Sequence, residues 1–353
     1  MIASVSALPF SRGRGPRRLW QPRVSNCILH IVRWLGFLAV LVLAPAASAT
    51  PRKGVPSDGD FWREMVDPHS QQVKAIIDRA RNIMSSVDGV VYGEIEAGRH
   101  ARAYRDVYGM LAYAHKLSPE NLEVLALLGD AADEAGKTRQ AIDALTASIR
   151  LTGEAKASAQ VTGRLGFIYL RLGKLDQAVR YLELAQTAVP SSRTLIHLAT
   201  ALAARGQMAD AIDVLANNVQ LALQYPTAES TLLAFALAVH YDRDDQSHAA
   251  FEILDKLMTV LQGNGYGPMI ENALAQMRFA PAEDRYYYHA LFYESLGNYT
   301  EARAEWATYA AAGDLPWRGR ALEHIAAIDR ERRSPAPKTA APAQPPLLRR
   351  RVP

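Results

Sequence analysis

The segment of residues 240–248, HYDRDDQSH, gathers side chains that could form a chemical site. Its histidines and aspartates are residue types that ligate metal ions or transfer protons. They are His240, Asp242, Asp244, Asp245 and His248. The spacing lacks the turn glycine and terminal glutamate of a calcium loop, and it matches no zinc pattern. We therefore interpret the segment as a polar turn between two helices, with metal binding or catalysis through His240 as the alternative.

Three alternating glycines, Gly263, Gly265 and Gly267, have the composition of a phosphate-cradling loop. A dinucleotide fingerprint needs a strand, a glycine turn and a helix in that order. Here the preceding residues, FEILDKLMTVL, have helical spacing, and Pro268 suits the start of the next helix. The glycines therefore predict a flexible connector, and we expect no bound cofactor.

Aromatic residues are dense from 286 to 317. Helical spacing places most of them in a core, whereas one or two of the consecutive tyrosines are expected to line a groove. They are Tyr286, Tyr287, Tyr288, Phe292, Tyr293, Tyr299, Trp306, Tyr309 and Trp317. No Ser–His–carboxylate grouping and no paired carboxylates stand out, so the sequence predicts neither catalytic residues nor a metal site.

The charge of this 353-residue chain is distributed unevenly. The net value is +4, but six arginines lie before residue 50 and six basic residues follow residue 331. Residues 50–331 hold the remaining 28 bases against 36 acids, a net charge of −8. A folded part with this balance lacks the basic face that binds phosphates, so we expect no nucleic-acid partner.

The first 49 residues have the order of a secretory signal peptide. An arginine-rich segment precedes the apolar stretch from Trp34 to Ala44, and Ala47-Ser48-Ala49 forms an A-x-A site. We predict cleavage after Ala49, a linker over 50–69, and export to the periplasm or cell envelope. The alternative is an uncleaved membrane anchor, although the apolar stretch is too short to span a bilayer. Cleavage would also remove Cys27, the single cysteine.

A repeated pattern of small and large residues runs through the rest of the chain. The clearest unit, 159–191, has Gly166, Tyr169, Gly173 and Ala178 at spacings that indicate a helix, a tight turn and a second helix. Matching positions occur in three other segments: Gly129, Gly136 and Ala141; Gly206 and Ala211; Gly297 and Ala302. The turn glycines 136, 173 and 206 are 37 and 33 residues apart.

This pattern resembles the tetratricopeptide repeat, whose period is about 34 residues. The resemblance extends over roughly 70–330, with clear units at about 122–155, 159–191, 192–225 and 283–316 and looser ones at about 88–121 and 229–258. It implies an all-α solenoid of helix-turn-helix units wound as a right-handed superhelix, in a protein of the exported bacterial type. Small residues at the repeated positions would let neighbouring helices approach closely.

The resemblance also implies where a partner would bind. In tetratricopeptide arrays the first helices of successive units line a concave face that takes protein or peptide segments. The corresponding positions here are Glu123, Asp130, Asp133, Glu134, Arg164, Phe167, Arg171, Arg193 and His197. One end of this expected groove is acidic and the next is basic.

The residues from 331 to 353 form a Pro/Ala-rich basic segment that ends in Leu347, Leu348 and three arginines. We predict a disordered tail, either idle or in weak contact with an anionic membrane surface. The sequence as a whole predicts a non-catalytic scaffold or adaptor for protein partners in the cell envelope. The alternatives are an accessory subunit of an envelope enzyme or polysaccharide-export machine, and an enzyme built on a helical scaffold.

Overall fold

The computed structural model describes residues 69–88, 94–224, 226–261 and 265–333, which form fourteen α-helices and no strand. The helices are α1 (Ser70–Asp88), α2 (Glu94–Leu117), α3 (Leu122–Glu134), α4 (Thr138–Thr152), α5 (Ala159–Arg171), α6 (Leu175–Ala188), α7 (Ser192–Ala204), α8 (Met208–Gln224), α9 (Ala228–Arg243), α10 (Ser247–Val260), α11 (Tyr266–Ala275), α12 (Asp284–Ser295), α13 (Tyr299–Ala311) and α14 (Arg318–Arg333). A 3₁₀ turn, Glu154–Lys156, follows α4. The predicted signal peptide with its Ala49 site, most of the linker and residues 334–353 lie outside these ranges.

Five helix pairs close with the same turn, and the repeated glycines explain four of them. Gly136, Gly173, Gly206 and Gly297 have φ between 69° and 82°, a conformation that glycine adopts without steric cost. In each turn the residue after the glycine donates a backbone hydrogen bond to the carbonyl five residues earlier. Lys174, for example, donates to Tyr169 at 2.9 Å. This bond satisfies a carbonyl at the end of the first helix.

The fifth turn, between α9 and α10, has no glycine. Asp245 takes the left-handed conformation there with φ 59°, and Gln246 N–H bonds to the Tyr241 carbonyl at 2.8 Å. Aspartate tolerates this conformation better than most side chains. The segment interpreted as a polar turn is therefore the hairpin turn of a fifth helix pair.

Close helix contact depends on the small residues of the pattern. A Cβ added to Gly129 would lie 2.5 Å from Leu145, and one added to Gly166 would lie 2.7 Å from Leu182. The repeated alanines of the second helices, Ala141, Ala178, Ala211 and Ala302, are fully buried. Each first helix thus packs directly on its second helix.

The pairs stack in chain order. Each first helix contacts the next, from α3 through α5, α7 and α9 to α12, and the second helices α4 and α6 contact the first helix that follows. One hydrophobic cluster extends from Ala132 to Ile328, and a second covers α1 to α4. The expected all-α solenoid is confirmed. Among the described residues, no helix has the length and apolarity needed to cross a bilayer.

Three elements differ from the ranges expected from the sequence. Residues 94–117 form one long helix, α2, which pairs with α1 rather than within the unit 88–121. Helix α11 begins at Tyr266, two residues before Pro268 and within the glycine segment expected to be a flexible connector, and it packs on α9. The last helix continues to Arg333, into the segment expected to be a tail.

Candidate functional site

The first helices share one face that encloses a cavity of about 360 Å³, which we call the inner groove. Its wall includes residues from α1, α2, α3, α5 and α7, together with Arg278. The lining residues are Met84, Asp88, Tyr104, Asp130, Ala159, Gln160, Gly163, Arg164, Phe167, Ser191, Arg193, Thr194, His197 and Arg278. A cavity walled by five helices of successive pairs shows that this face is concave.

Arg164 of α5 is the centre of the polar wall. Its guanidinium forms ion pairs with Asp130 at 2.8 Å, Asp133 at 3.5 Å and Glu134 at 3.1 Å, all on α3. Burial alone would lower the pKa of Arg164, but the neighbouring carboxylates, led by Asp130, raise it. Asp130 also accepts a hydrogen bond from the Gln160 side chain at 2.8 Å. The acidic and basic ends expected from the sequence are therefore one network in which opposite charges neutralise each other.

Two further arginines complete this network. Arg171, about two α-helical turns beyond Arg164, pairs with Asp133. Arg278 pairs with Glu134 although it lies in the connector between α11 and α12 (residues 276–283). The connector thus reaches back across the inner groove to α3.

His197 holds the backbone of the same connector. Its Nε2 lies 3.1 Å from the carbonyl oxygen of Arg278, and because a carbonyl only accepts, Nε2 carries the hydrogen. The imidazole ring packs on Phe167, with ring centroids 4.5 Å apart. Burial lowers the pKa of His197 to about 4, so the ring is neutral at pH 7.

Two of the nine residues expected in the groove stand apart from this network. Glu123 lies at the start of α3, where it is exposed and pairs with Arg81 of α1. Arg193 lines the inner groove at the start of α7 but makes no ion pair among the described residues. Arg193 therefore carries a positive charge that no ion pair among the described residues neutralises.

A larger opening lies at the other end of the array. We call it the terminal pocket; its volume is about 840 Å³, and α10, α12 and α14 provide most of its wall. It is lined by Asp242, Ser247, Ala250, Phe251, Leu254, Met258, Leu291, Glu294, Ser295, Leu296, Gly297, Tyr299, Arg320, Glu323, His324, Ala327, Ile328, Arg330 and Glu331. One side is apolar and the other is polar.

The polar side of the terminal pocket is built around His324 of α14. Its Nδ1 bonds to Glu294 at 2.9 Å and its Nε2 to Asp242 at 3.1 Å. Burial opposes protonation, but these two carboxylates outweigh it and raise the pKa of His324 to about 9. Asp242 accepts further bonds from Tyr287 at 2.7 Å and Arg320 at 2.8 Å. Against the effect of burial, its partners His324, Arg320 and Tyr287 lower the pKa of Asp242 to about 2.

The structure separates the five side chains that looked most like a chemical site. His240 is buried with its Nδ1 bonded to the Ala236 carbonyl at 2.8 Å, whereas Asp242 belongs to the terminal pocket. Asp244 bonds to Gln246, and Asp245 to Arg320. His248 is exposed beside Glu252 at 3.5 Å. Within the described ranges, no group of three His, Cys, Asp or Glu residues is arranged so that it could hold a metal ion.

The dense aromatic residues are mostly core. Tyr287, Tyr288, Phe292, Trp306 and Tyr309 are buried, Tyr286, Tyr293 and Trp317 are half-buried, and Tyr299 is exposed at the terminal pocket. They also enclose a buried ion pair that the sequence did not indicate. The guanidinium of Arg243 lies 3.0 Å from Asp284 and 3.8 Å from the centre of the Trp317 ring.

Sequence reasoning did not identify the site residues whose positions depend on the paths of the connector and of α14. Arg278 follows helix α11 by three residues, and nothing in its neighbours marks it as a groove residue. Tyr104 and Gln160 line the inner groove from helices whose facing sides the sequence could not orient. His324 lies in α14, beyond the last clear unit expected from the sequence, so no repeat position indicated its partners.

The family model of the tetratricopeptide repeat matches residues 159–191. No curated protein matches the chain significantly. Similar solved structures include MamA, with 15% identity over 50% of this chain and 98% of that chain and a TM-score of 0.41. A Podosopora anserina putative kinesin light chain structure with nearly identical TPR-like repeats shares 18% identity over 56% and 97% of the two chains, with a TM-score of 0.43. YrrB, a TPR protein with an unusual peptide-binding site, shares 15% identity over 60% and 96%, with a TM-score of 0.37.

The match at 159–191 covers α5, α6 and the Gly173 turn between them, and the same turn closes the helix pairs on either side. This chain therefore contains a tetratricopeptide repeat, set in an all-α solenoid of the tetratricopeptide type.

Proposed function

We propose that this protein is a non-catalytic scaffold that binds an extended segment of a partner protein in the inner groove. The observation that carries the proposal is the groove itself: five helices, α1, α2, α3, α5 and α7, enclose an open cavity with both apolar and hydrogen-bonding walls. Phe167 and Tyr104 line the cavity as largely buried rings, and Gln160, Ser191 and Thr194 offer polar groups. Such a mixture of apolar surface and a few placed polar groups is typical of binding sites.

The charges of the inner groove indicate which kind of partner segment it can bind. Arg164, Arg171 and Arg278 are already paired with carboxylates of α3, so they attract an additional anion weakly. Arg193 has no such partner among the described residues. We therefore infer that the bound segment places an acidic side chain or a carboxylate beside Arg193 and an apolar side chain near Phe167.

The test of this proposal begins with a photo-crosslinker at Gln160, an exposed position of the inner groove, in intact cells. The partner identified in this way is purified, and its Kd is measured with the wild type and two charge variants. Arg193→Glu should weaken binding by about tenfold or more, because it places a like charge beside the acidic group. Arg139→Glu, at an exposed position of α4 outside the groove, is the matched control and should change Kd less than about twofold.

Equal effects of the two variants would place the partner elsewhere on the array and contradict the proposal. Turnover by the purified protein alone would favour the alternative of an enzyme built on a helical scaffold. Co-purification with an envelope enzyme or a polysaccharide-export machine would identify the scaffold as an accessory subunit of that assembly.

We propose further that the protein acts in the cell envelope, as the order of basic, apolar and A-x-A segments before Thr50 supports. Amino-terminal sequencing of protein from the envelope fraction should find Thr50 as the first residue. An amino terminus that still contains Trp34–Ala44 would instead support the membrane-anchored alternative. Recovery of the uncleaved chain in the cytosol would contradict export.

A further inference from the structure

We propose that the chain fills its own terminal pocket with residues 345–351, Pro-Pro-Leu-Leu-Arg-Arg-Arg. The apolar wall of this pocket leaves large hydrophobic side chains in contact with solvent. Phe251 is 63% exposed and Tyr299 41%, and Leu296 beside them is exposed as well. Exposed apolar side chains that converge on one opening are typical of an interaction site rather than of ordinary surface.

The rim of the pocket favours a cationic ligand. The buried charges balance, because His324 is held between Asp242 and Glu294 and Arg320 pairs with Asp242. At the rim, Asp245 and Glu323 are highly exposed and share one partner, Arg320, and Glu331 adds a third exposed carboxylate. Among the described lining residues, Arg330 is the arginine outside the buried network. Carboxylates therefore outnumber cations among the rim residues that the structure describes.

The segment 345–351 has the complementary chemistry. Leu347, Leu348 and Val352 are the large aliphatic residues of the stretch 334–353, and three arginines follow the leucines directly. Two leucines match an apolar wall of Phe251, Leu254 and Met258, and the arginines match an acidic rim. Pro345 and Pro346 restrict the backbone before the leucines, which lowers the entropy lost on binding.

The end of α14, from which this segment continues, lies beside the terminal pocket. Arg330 and Glu331, in its last turn, line the terminal pocket, and the helix ends at Arg333. Leu347 follows by fourteen residues, a length that spans at most about 45 Å when fully extended. A tether of this kind gives an effective concentration of the order of millimolar, so even a weak contact keeps the pocket occupied.

The first test is a crosslink in the intact chain. Leu348→p-benzoylphenylalanine should form an intramolecular crosslink to α10, where Met258 lines the pocket. Ala340→p-benzoylphenylalanine, in the Pro/Ala stretch, is the matched control and should give no dominant site. Adding Phe251→Ser should reduce the α10 crosslink by about fivefold or more, because it removes an aromatic anchor. Val189→Ser, at a similarly exposed position directly after α6, should leave the crosslink unchanged.

The second test separates the segment from other occupants. The variant Leu347→Asp with Leu348→Asp should speed hydrogen exchange in residues 296–299, whereas Thr339→Asp with Ala340→Asp should not. A synthetic peptide of residues 342–352 should bind the first variant and not the wild type.

Three results would overturn the proposal. Crosslinks that form only between copies and rise with concentration would assign the pocket to a second copy. Sedimentation of the wild type with anionic phosphatidylglycerol vesicles, together with no crosslink to α10, would assign the segment to a membrane surface. Unchanged exchange and no peptide binding would leave the terminal pocket to a different ligand.

Discussion

Single residues set the regularity of this array. Gly136, Gly173, Gly206 and Gly297 end the first helices of four pairs in the left-handed conformation, and Asp245 does the same in a fifth. The sequence pattern is therefore a pattern of backbone conformation rather than of side-chain chemistry. The pair α9 and α10, expected from the sequence as a looser unit, departs from the glycine pattern because aspartate supplies the conformation that glycine supplies elsewhere.

Gly173→Ala should lower the free energy of unfolding by about 1 kcal/mol, because its φ of 69° is costly for any residue with a Cβ. Urea denaturation followed by circular dichroism measures this change. Gly319→Ala, in α14 where a Cβ meets no atom within 4 Å, is the control and should be neutral or stabilising. Equal stability of wild type and Gly173→Ala would contradict the assigned turn.

His324 should make the stability of the protein depend on pH above neutrality. Its pKa in the folded chain, about 9, exceeds the ordinary value of 6.5, so folding favours the protonated ring. The stabilisation is complete below pH 6.5 and is lost as the pH rises through 9, by about 3 kcal/mol in total. Unfolding of the wild type and His324→Gln at pH 6 and pH 9.5 measures it. A variant that keeps the wild-type pH dependence would exclude His324 as its source.

At the scale of helices, contact distance decides which substitutions the array accepts. Within a pair, the first helix approaches the second where a glycine faces a leucine, as Gly166 faces Leu182. Helices on neighbouring pairs meet through ordinary apolar side chains such as Leu195 and Ile196. Overpacking is therefore most costly inside a pair.

Gly166→Trp should destabilise the protein by about 1 to 3 kcal/mol, because even a Cβ there would lie 3.0 Å from the backbone nitrogen of Leu182. The matched control is Gly109→Trp, in the middle of α2, where a Cβ meets nothing within 4 Å. Thermal unfolding of both variants compares them. If the two melting temperatures fall equally, the close approach of α5 and α6 is not the cause.

At the scale of the whole array, the connector between α11 and α12 links distant helix pairs. Arg278 pairs with Glu134 of α3 through its side chain and bonds to His197 of α7 through its carbonyl. Met277 shares a small cavity with Arg193 and Leu232 of α9. One short segment thus contacts three first helices and forms a wall of the inner groove.

Arg278→Glu should loosen this wall, because the new carboxylate faces Glu134 in place of a cation. We expect a loss of stability of about 1 kcal/mol and faster hydrogen exchange in residues 276–283. Arg205→Glu, which breaks the more exposed pair with Asp176, is the control and should leave exchange in the connector unchanged. Unaltered exchange in Arg278→Glu would show that packing alone holds the connector.

The helices, most of their turns and the small residues between paired helices could be predicted from the amino-acid pattern. These features depend on atoms within about one helical turn or on the neighbouring helix, so a repeat of about 34 residues records them directly. Eight of the nine residues expected in the groove lie in or beside the charged network around Arg164, because their positions follow from the repeat. Glu123 was the exception, since it lies at the very start of α3.

Tertiary structure alone decided which charges remain available. Arg164 neutralises carboxylates 30 to 34 residues earlier, and His197 bonds to a connector 81 residues later. His324 joins Asp242 and Glu294, which are 82 and 30 residues away. No local pattern encodes such partners, because the path of a connector and the docking of a last helix follow from packing of the whole array. Hence the sequence predicted a charged groove, and the fold left Arg193 as its unneutralised cation among the described residues.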